Sequence, residues 1–152
     1  KALALAACLE DRGELWLHDI DERALDHAEA RLRKAGSRCA RRGLPPEGSA
    51  DVVLVDAPCS SLGPLRRSPD LRFTLKPEAL DAFSSTQRAL VAQGASLLRP
   101  GGRLLYATCT VLRAENEEVA RSCGLPVTAQ RTLLPHVEGC DGFFIAQARQ
   151  GC

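Results

Sequence analysis

The run Val52-Val53-Leu54-Val55 is the feature that most constrains the fold of this chain. Unbroken apolar runs rich in β-branched residues are typical of strands that are covered on both faces, as in a parallel sheet. Arg103–Ala107 has a similar apolar character, and Glu14–Ile20 also predicts a strand. Since parallel strands need crossover connections, we expect helices between these strands.

Apolar residues at helical spacing occur between and after the strand runs. They predict that residues 2–10 end one helix and that three more cover Asp21–Lys34, Pro77–Leu98 and Ala114–Ser122. Residues 36–50 are rich in turn residues, so we predict no strand there, and Arg99–Gly102 reads as a turn. Val127–Leu133 and Phe143–Ala148 complete the predicted strands. The alternation of strands and helices predicts an α/β fold with a mainly parallel sheet.

Length and composition favour one ordinary globular domain, residues 1–152. No apolar run approaches the length of a membrane span, so we expect no membrane partner. The seven cysteines form neither a CxxC pair nor a Cys/His cluster. We therefore expect no metal site and no disulfide framework, and the cysteines favour a reducing compartment.

Reactive or polar residues follow three of the predicted strands. Asp19 ends the first, Asp56 and Cys59 follow the second, and Thr108 with Cys109 follows the third. In open α/β sheets, ligands bind beyond the carboxyl ends of the strands. The sequence therefore predicts a site assembled from the loops DAPCSSLG and TCT, with Cys59 and Cys109 at the same sheet edge.

Several stretches in combination carry a resemblance to a known family. They are DAPCSSLG, RRSPDLRF, QRALVAQGASLLRPGGRLLYATCT, ENEEVA and EGCDGFFIA. Together they resemble the RNA 5-methylcytosine methyltransferases of the Nop2/Sun family, and are most similar to its bacterial ribosomal small-subunit RNA methyltransferase B branch. The resemblance runs from Gly13 to Ala148. It implies a Rossmann-like class I methyltransferase sheet, with S-adenosyl-L-methionine as cofactor and RNA, in particular ribosomal RNA, as partner.

The resemblance also implies a role for each thiol. Carbon 5 of cytosine is a poor nucleophile until a thiolate adds to carbon 6 and turns carbon 5 into an enamine-like centre. Cys109 matches the family's nucleophile, and Cys59 matches the cysteine that assists release of the methylated base. The other five cysteines, Cys8, Cys39, Cys123, Cys140 and Cys152, are expected to be structural, that is, small buried apolar residues.

Three residues are expected to bind the cofactor. Asp19, at the end of a strand in a nucleotide-binding fold, fits a carboxylate that pairs with ribose hydroxyls. The resemblance implies that Asp56 lies at the boundary between cofactor and base. It also matches Lys1 to the last residue of the family's glycine-rich loop. Asp21 is expected to cap the following helix. Arg66 and Arg67 are candidates for phosphate contact, and the role of Asn116 stays open between capping and orienting the site.

The chain departs from the family pattern in two places. The glycine-rich loop and the strand before it are missing, and the segment Ser37–Ser49 lacks the expected adenine-binding acid, with only Glu47 present. We therefore expect an N-terminally truncated methyltransferase sheet. Without the central first strand, we expect either a gap between Glu14–Ile20 and Asp51–Val55 or direct pairing of the two.

Two other classes of function stay open. One is a catalytically inactive relative that keeps the fold and binds RNA or a protein. The other is an amino-group methyltransferase, but such enzymes use an Asn/Asp-Pro-Pro-Tyr/Phe loop and need no thiol, which argues against it. The expected location is the cytoplasm for a bacterial protein, and the nucleus, nucleolus or mitochondrion for a eukaryotic one.

Overall fold

The structure is a computed structural model that describes residues 1–151, without the side chains of residues 72, 74 and 77. It divides into two compact units, Lys1–Pro45 and Pro46–Cys152. The prediction of a single domain stays a prediction. None of the helices in the described part of the chain combines the length and the hydropathy needed to cross a lipid bilayer.

The N-terminal unit consists of two helices and two short strands. Helix α1 spans Ala2–Leu9, strand β1 Leu15–Leu17, helix α2 Glu22–Lys34 and strand β2 Ala40–Arg42. Helix α2 begins where the Asp21 side chain accepts a hydrogen bond from the Arg23 backbone N–H, which confirms Asp21 as the cap. The unit's small core contains Ala6, Leu32 and Cys39.

Strand β2 contradicts the prediction that residues 36–50 lack a strand. It pairs in parallel with β1, with Leu15 opposite Ala40 and Leu17 opposite Arg42. Its two arginines concealed it, because they face solvent and form ion pairs rather than an apolar face. Arg42 pairs with acidic residues of α2, including Asp26 at 2.9 Å, and Arg41 lies 3.3 Å from Glu14.

The C-terminal unit contains a four-stranded sheet with strand order β3-β4-β6-β5. Its long elements are β3 Ala50–Asp56, helix α4 Pro77–Leu97, β4 Leu98–Thr108, helix α5 Glu117–Ser122, β5 Val127–Leu133 and β6 Phe143–Arg149. Between β3 and α4 lie a 3-10 helix, Gly63–Arg66, and the one-turn helix α3, Leu71–Thr74; another such turn, α6, is Pro135–Glu138.

Helices α4 and α5 pack on one face of this sheet. The core cluster on that face includes Val91 of α4, Val119 of α5, Tyr106 of β4 and Phe144 of β6. Gly94 lets α4 approach closely, because a Cβ atom there would lie 2.9 Å from a Leu104 methyl group and 3.0 Å from one of Val55. These contacts fix the position of the β3 and β4 ends.

The prediction that β3 is covered on both faces is wrong. Val53 and Val55 pack against the core, but Val52 is 43% exposed. The physical reason is that β3 is the edge strand of its sheet and only one face receives the helices of this unit. The run of β-branched residues therefore identified a strand but not its degree of burial.

The prediction of a mainly parallel sheet agrees with the strand directions, since β3, β4 and β5 run the same way and β6 is the one reversed strand of this four-stranded sheet in residues 1–151. β1–β2 and β3–β4 pair in parallel, whereas β4–β6 and β5–β6 pair antiparallel. The connection between β5 and β6 holds only one helical turn, which is too short for a parallel crossover.

Strand β4 also begins earlier than predicted. The expected turn at Arg99–Gly102 lies within β4 as an irregularity, where Gly101 adopts a φ of 76° and the pairing jumps from Ala50–Leu98 to Val52–Arg103. Strands β1 and β3 belong to different sheets. Of the two outcomes expected for them, direct pairing is therefore ruled out among residues 1–151.

Candidate active site

The two thiols meet at the carboxyl ends of neighbouring strands. Strands β3 and β4 run in parallel with Asp56 opposite Ala107, so the loops that follow them leave the same edge of the sheet. Cys59 Sγ lies 3.3 Å from Cys109 Sγ, a distance that permits an S–H···S hydrogen bond. This confirms the predicted placement of both cysteines at one edge.

Ser61 is the third side chain at the thiol pair. Its Oγ lies 3.4 Å from Cys109 Sγ and donates a hydrogen bond to the Cys59 carbonyl oxygen at 3.4 Å. Ser61 adopts a φ of 56°, a left-handed conformation that is uncommon for residues other than glycine. The strained turn therefore directs a hydroxyl group toward the sulfur of Cys109.

Burial changes the acid–base behaviour of Cys59. Desolvation raises the pKa of its thiol to about 11, and the neighbouring Cys109 contributes in the same direction. Cys59 is therefore protonated at neutral pH. A protonated Cys59 can donate its S–H to Cys109, and such a bond stabilises negative charge on the accepting sulfur.

A buried carboxylate lies beneath the thiols. Glu115 is completely buried, and its Oε1 accepts hydrogen bonds from the Ser60 backbone N–H and from Gln87 Nε2, both at 2.9 Å. Its Oε2 accepts from Ser60 Oγ, which also lies 2.8 Å from Thr110 Oγ1. The same Gln87 amide nitrogen donates to the Pro58 carbonyl oxygen at 2.8 Å. The Glu115 carboxylate and its hydrogen-bond partners thus contact the loops of both cysteines.

Asn116 fixes the loop that carries Cys109. Its Oδ1 accepts a hydrogen bond from Thr108 Oγ1 at 2.6 Å, and its Nδ2 donates to the Thr110 carbonyl oxygen at 3.0 Å. The side chain makes no capping bond to α5. Of the two roles left open by the sequence, Asn116 therefore orients the site.

Two glycines allow the thiol loops to approach the tail loop of the chain. The Gly63 N–H donates to the Cys109 carbonyl oxygen at 2.9 Å, and the Gly142 N–H donates to the Gly63 carbonyl oxygen at 3.2 Å. A Cβ atom on Gly63 would lie 1.9 Å from the Gly142 carbonyl oxygen. Only glycine fits at position 63, which explains why DAPCSSLG ends in glycine and why the tail carries one too.

An open pocket of about 330 Å³ adjoins Cys59. Such a volume is at the lower end of the range found for ligand pockets, about 300–1,000 Å³. The walls are mostly apolar, with one lysine and two serines: Cys59, Ser60, Ser61, Leu71, Leu75, Lys76, Ala79 and Phe83. A pocket of this size and character can accept a planar base next to a thiol.

The candidate phosphate-binding arginines differ in their surroundings. Arg67 forms an ion pair with Asp141, whose side chain is only 9% exposed. Arg66 lies at the exposed end of the 3-10 helix. Asp141 thus holds Arg67 against the tail loop, whereas Arg66 faces solvent.

The three predicted cofactor residues are all exposed. Asp19 lies beyond β1, and its Oδ1 accepts a hydrogen bond from the Asp21 backbone N–H at 2.9 Å. Lys1 precedes α1, so both belong to the N-terminal unit, whereas Asp56 ends β3 in the C-terminal unit. Joint binding of one cofactor by these residues stays a prediction.

The other cysteines only partly match the expected structural role. Cys39 and Cys123 are buried, as predicted, but Cys8 is exposed and Cys140 is half-buried. Cys8 lies on the exposed side of α1, so the prediction that it is a buried apolar residue is wrong. Cys152 lies outside the described residues. No group of metal-binding side chains occurs within the described residues 1–151.

Sequence reasoning missed the buried hydrogen-bond network. Glu115 and Gln87 are both 0% exposed and carry most of it, and neither was a candidate residue. Gln87 gave a usable signal, because it lies at helical spacing from the apolar residues Phe83, Leu90 and Val91 and is the polar exception on that face. Glu115 gave none, since acidic residues near a helix start normally face solvent.

A family model described as "16S rRNA methyltransferase RsmB/F" matches residues 29–125. The chain belongs to the RsmB/F methyltransferase family. The matched stretch contains both thiol loops and the Glu115–Asn116 pair. The predicted family is thereby confirmed.

Curated relatives in bacteria carry names that agree with this family. Ribosomal RNA small subunit methyltransferase F from Vibrio cholerae is 28% identical over 99% of the chain. The probable ribosomal RNA small subunit methyltransferase B from Bacillus subtilis is 35% identical over 82% of it. The chain spans 38% of the length of the first relative and 32% of the second.

Solved structures confirm the predicted α/β methyltransferase fold. The structure of NSun6 from Pyrococcus horikoshii with SFG has a TM-score of 0.83 and 27% sequence identity to this chain. The match covers 97% of this chain and 44% of the NSun6 chain. A methyltransferase homologue from Pyrococcus horikoshii, at 23% identity and a TM-score of 0.78, has the same fold.

Proposed function

We propose that the protein carrying this chain methylates carbon 5 of cytosine in ribosomal RNA of the small subunit, through an intermediate bonded to cysteine. The observation that carries the proposal is the 3.3 Å separation of Cys59 and Cys109, two thiols brought together from the ends of two strands. The family and the names of the curated relatives support the ribosomal RNA substrate.

Cys109 is the proposed nucleophile. Its thiolate adds to carbon 6 of cytosine, and the electron pair of the 5,6 double bond moves so that carbon 5 becomes nucleophilic. The S–H of the protonated Cys59 can donate to the sulfur of Cys109, and such a donor lowers the free energy of the thiolate before addition.

Cys59 is the proposed group for release. After methyl transfer, carbon 5 gives up its proton to a solvent water molecule, the C–H electron pair reforms the double bond, and the carbon–sulfur bond to Cys109 breaks with its electron pair on sulfur. The departing sulfur leaves as a thiolate and needs a proton or a hydrogen-bond donor. Cys59 is protonated at neutral pH because burial raises its pKa to about 11, and it lies within reach of that sulfur.

S-adenosyl-L-methionine is the proposed methyl donor, and when bound it supplies an electrophilic methyl group. Asp19 follows β1 and Asp56 ends β3, and each of these strands has a parallel neighbour in its own sheet. Their exposed carboxylates suit ribose hydroxyls and polar groups of the cofactor and base. Lys1 would add a positive charge. Two carboxylate acceptors and one ammonium donor fit the hydroxyl and carboxylate groups of the cofactor, so Asp19, Asp56 and Lys1 are its proposed ligands.

RNA binding is proposed to involve the exposed Arg66. A guanidinium donates several N–H groups in a planar fork that suits phosphate oxygens. Arg67 is held by Asp141. It would contact a phosphate either after this ion pair opens or with guanidinium N–H groups that Asp141 does not occupy.

Methyl incorporation tests the proposal directly. Small-subunit ribosomal RNA is incubated with the protein and with S-adenosyl-L-methionine that carries a tritiated methyl group. Cys109→Ala is expected to reduce incorporation at least about 1,000-fold, the scale of losing an essential nucleophile, whereas the exposed Cys8→Ala serves as control and retains full activity. RNA binding without incorporation by the unaltered protein would favour the inactive relative instead.

A further inference from the structure

We propose that Glu115 is a positioning residue that sets the distance between the two thiols. The proposal rests on the proposed function for its catalytic meaning, but its structural content stands on contacts alone. The residues that directly follow each cysteine, Ser60 and Thr110, are joined to one another, and Ser60 donates to this carboxylate. Neither Ser60 nor Thr110 was a candidate site residue in the sequence analysis.

The hydrogen bonds of Glu115 converge on the Cys59 loop from two directions. Its carboxylate takes both the backbone N–H and the hydroxyl of Ser60. It also accepts from Gln87, whose amide nitrogen donates in turn to the carbonyl oxygen of Pro58. The residues on both sides of Cys59 are therefore tied to one carboxylate.

The same carboxylate is tied to the Cys109 strand and loop. The Ser60 hydroxyl that donates to Glu115 also contacts the Thr110 hydroxyl at 2.8 Å. The Glu115 carbonyl oxygen accepts a hydrogen bond from Tyr106 of β4, and the next residue, Asn116, bonds Thr108 and Thr110. Glu115 thus links the loops that must stay in register for the sulfurs to meet.

The chemistry of the side chain matters as well as its size. Three donors point at Glu115: the Ser60 N–H, the Ser60 O–H and the Gln87 N–H. A carboxylate offers acceptors only, so it satisfies all three, whereas an amide of the same volume replaces one acceptor with a donor. Since the site is fully buried, water does not compensate for a lost acceptor.

Disulfide formation measures the separation of the thiols without requiring methyl transfer. The two sulfurs must close from 3.3 Å to about 2 Å. Diamide serves as oxidant: its N=N bond takes up two electrons and two protons to give the hydrazine, while the two thiols become a disulfide. Mass spectrometry of the Cys59–Cys109 peptide pair, after alkylation of the remaining thiols, follows the rate.

We expect Glu115→Ala to slow formation of this disulfide at least about 10-fold and Glu115→Gln to give an intermediate rate, by analogy with the steep distance dependence of positioned reactions. Glu118→Gln makes the same chemical change on the exposed face of α5 and is expected to keep the unaltered rate. In methylation assays, Glu115→Gln should lower kcat about 10-fold to 100-fold with KM for RNA within about twofold.

An unaltered disulfide rate in folded Glu115→Gln would overturn the proposal, even if its thermal stability fell. If Glu115→Ala does not fold, Glu115→Gln decides. If neither folds, Ser60→Ala decides, because it removes the hydroxyl bonds to Glu115 and Thr110 and leaves the backbone N–H bond to Glu115; an unaltered rate there would overturn the proposal. Absence of methylation in the unaltered protein would contradict the proposed function, but the disulfide-rate test of Glu115 would still apply.

Discussion

The two thiols and the predicted cofactor carboxylates are held in very different ways. Cys59 and Cys109 sit on loops fixed by side chains that are almost inaccessible to water: Gln87 and Glu115 at 0% exposure and Asn116 at 1%. Asp19 is exposed, and its hydrogen bond reaches only to a backbone two residues away. Groups that must form and break bonds need a preset geometry, whereas carboxylates that bind hydroxyls can complete their geometry with the ligand. Substitutions should therefore damage the folded state at the first site and only ligand affinity at the second.

Gly63→Ala should give the largest loss of stability. The new Cβ would lie 1.9 Å from a backbone oxygen of Gly142, and backbone cannot rotate away as a side chain can. We expect the free energy of unfolding to fall by about 3 kcal/mol. Gly151→Ala is the matched control, since its Cβ meets no atom within 4 Å. Urea denaturation followed by circular dichroism compares the two, and equal midpoints would show that the loops are not packed as described.

The raised pKa of Cys59 predicts a loss of stability at high pH. Its pKa rises from an ordinary 9.0 to about 11 on folding, so the folded state holds this proton more tightly than the unfolded state. The stabilisation is therefore complete below pH 9 and is lost as the pH rises from 9 toward 11, and we expect about 1–2 kcal/mol after allowance for partial exposure. Cys59→Ser does not titrate in this range and should lack this component. If the free energy of unfolding changes with pH by the same amount in both proteins between pH 8 and 10.5, the result argues against a desolvated Cys59.

Asp19→Asn should have the smallest effect on folding. The amide oxygen can still accept the Asp21 N–H, so we expect the free energy of unfolding to change by less than about 0.5 kcal/mol. If Asp19 binds the cofactor, calorimetry should show about 10-fold weaker binding of S-adenosyl-L-methionine, the scale of one hydrogen bond to a charged group. Asp81→Asn, on the exposed surface of α4, is the control. Equal affinities in both variants would remove Asp19 from the proposed ligands.

The parts of the fold that the sequence predicted are those governed by apolar pattern. The predicted strand Val127–Leu133 has the same bounds as β5, and the predicted helix ending at Leu98 differs from α4 by one residue. Strand β2 was missed because arginine side chains replaced the apolar pattern. The reversed direction of β6 depends on connection length and pairing partners, which short windows do not contain. Pairing, not local propensity, also decides that β4 begins at Leu98.

The residues of the candidate site likewise fall into those that local sequence pattern predicts and those that depend on tertiary contacts. Cys59 and Cys109 were predictable because each follows a strand, and the carboxyl ends of parallel neighbours share an edge. The supporting residues Glu115 and Gln87 could not be assigned a partner from sequence, because their hydrogen bonds join positions 28 to 55 residues apart. Only the folded chain brings those positions together.

The most direct test of the two-thiol account is covalent trapping of RNA. The protein is incubated with small-subunit ribosomal RNA and S-adenosyl-L-methionine, then resolved on a denaturing gel. We predict that Cys59→Ala accumulates a protein–RNA adduct, because addition and methyl transfer survive while release slows, and that Cys109→Ala and the double variant form none. Equal trapping by both single variants, or an adduct in the double variant, would contradict the assignment of Cys109 as nucleophile and Cys59 as the group for release.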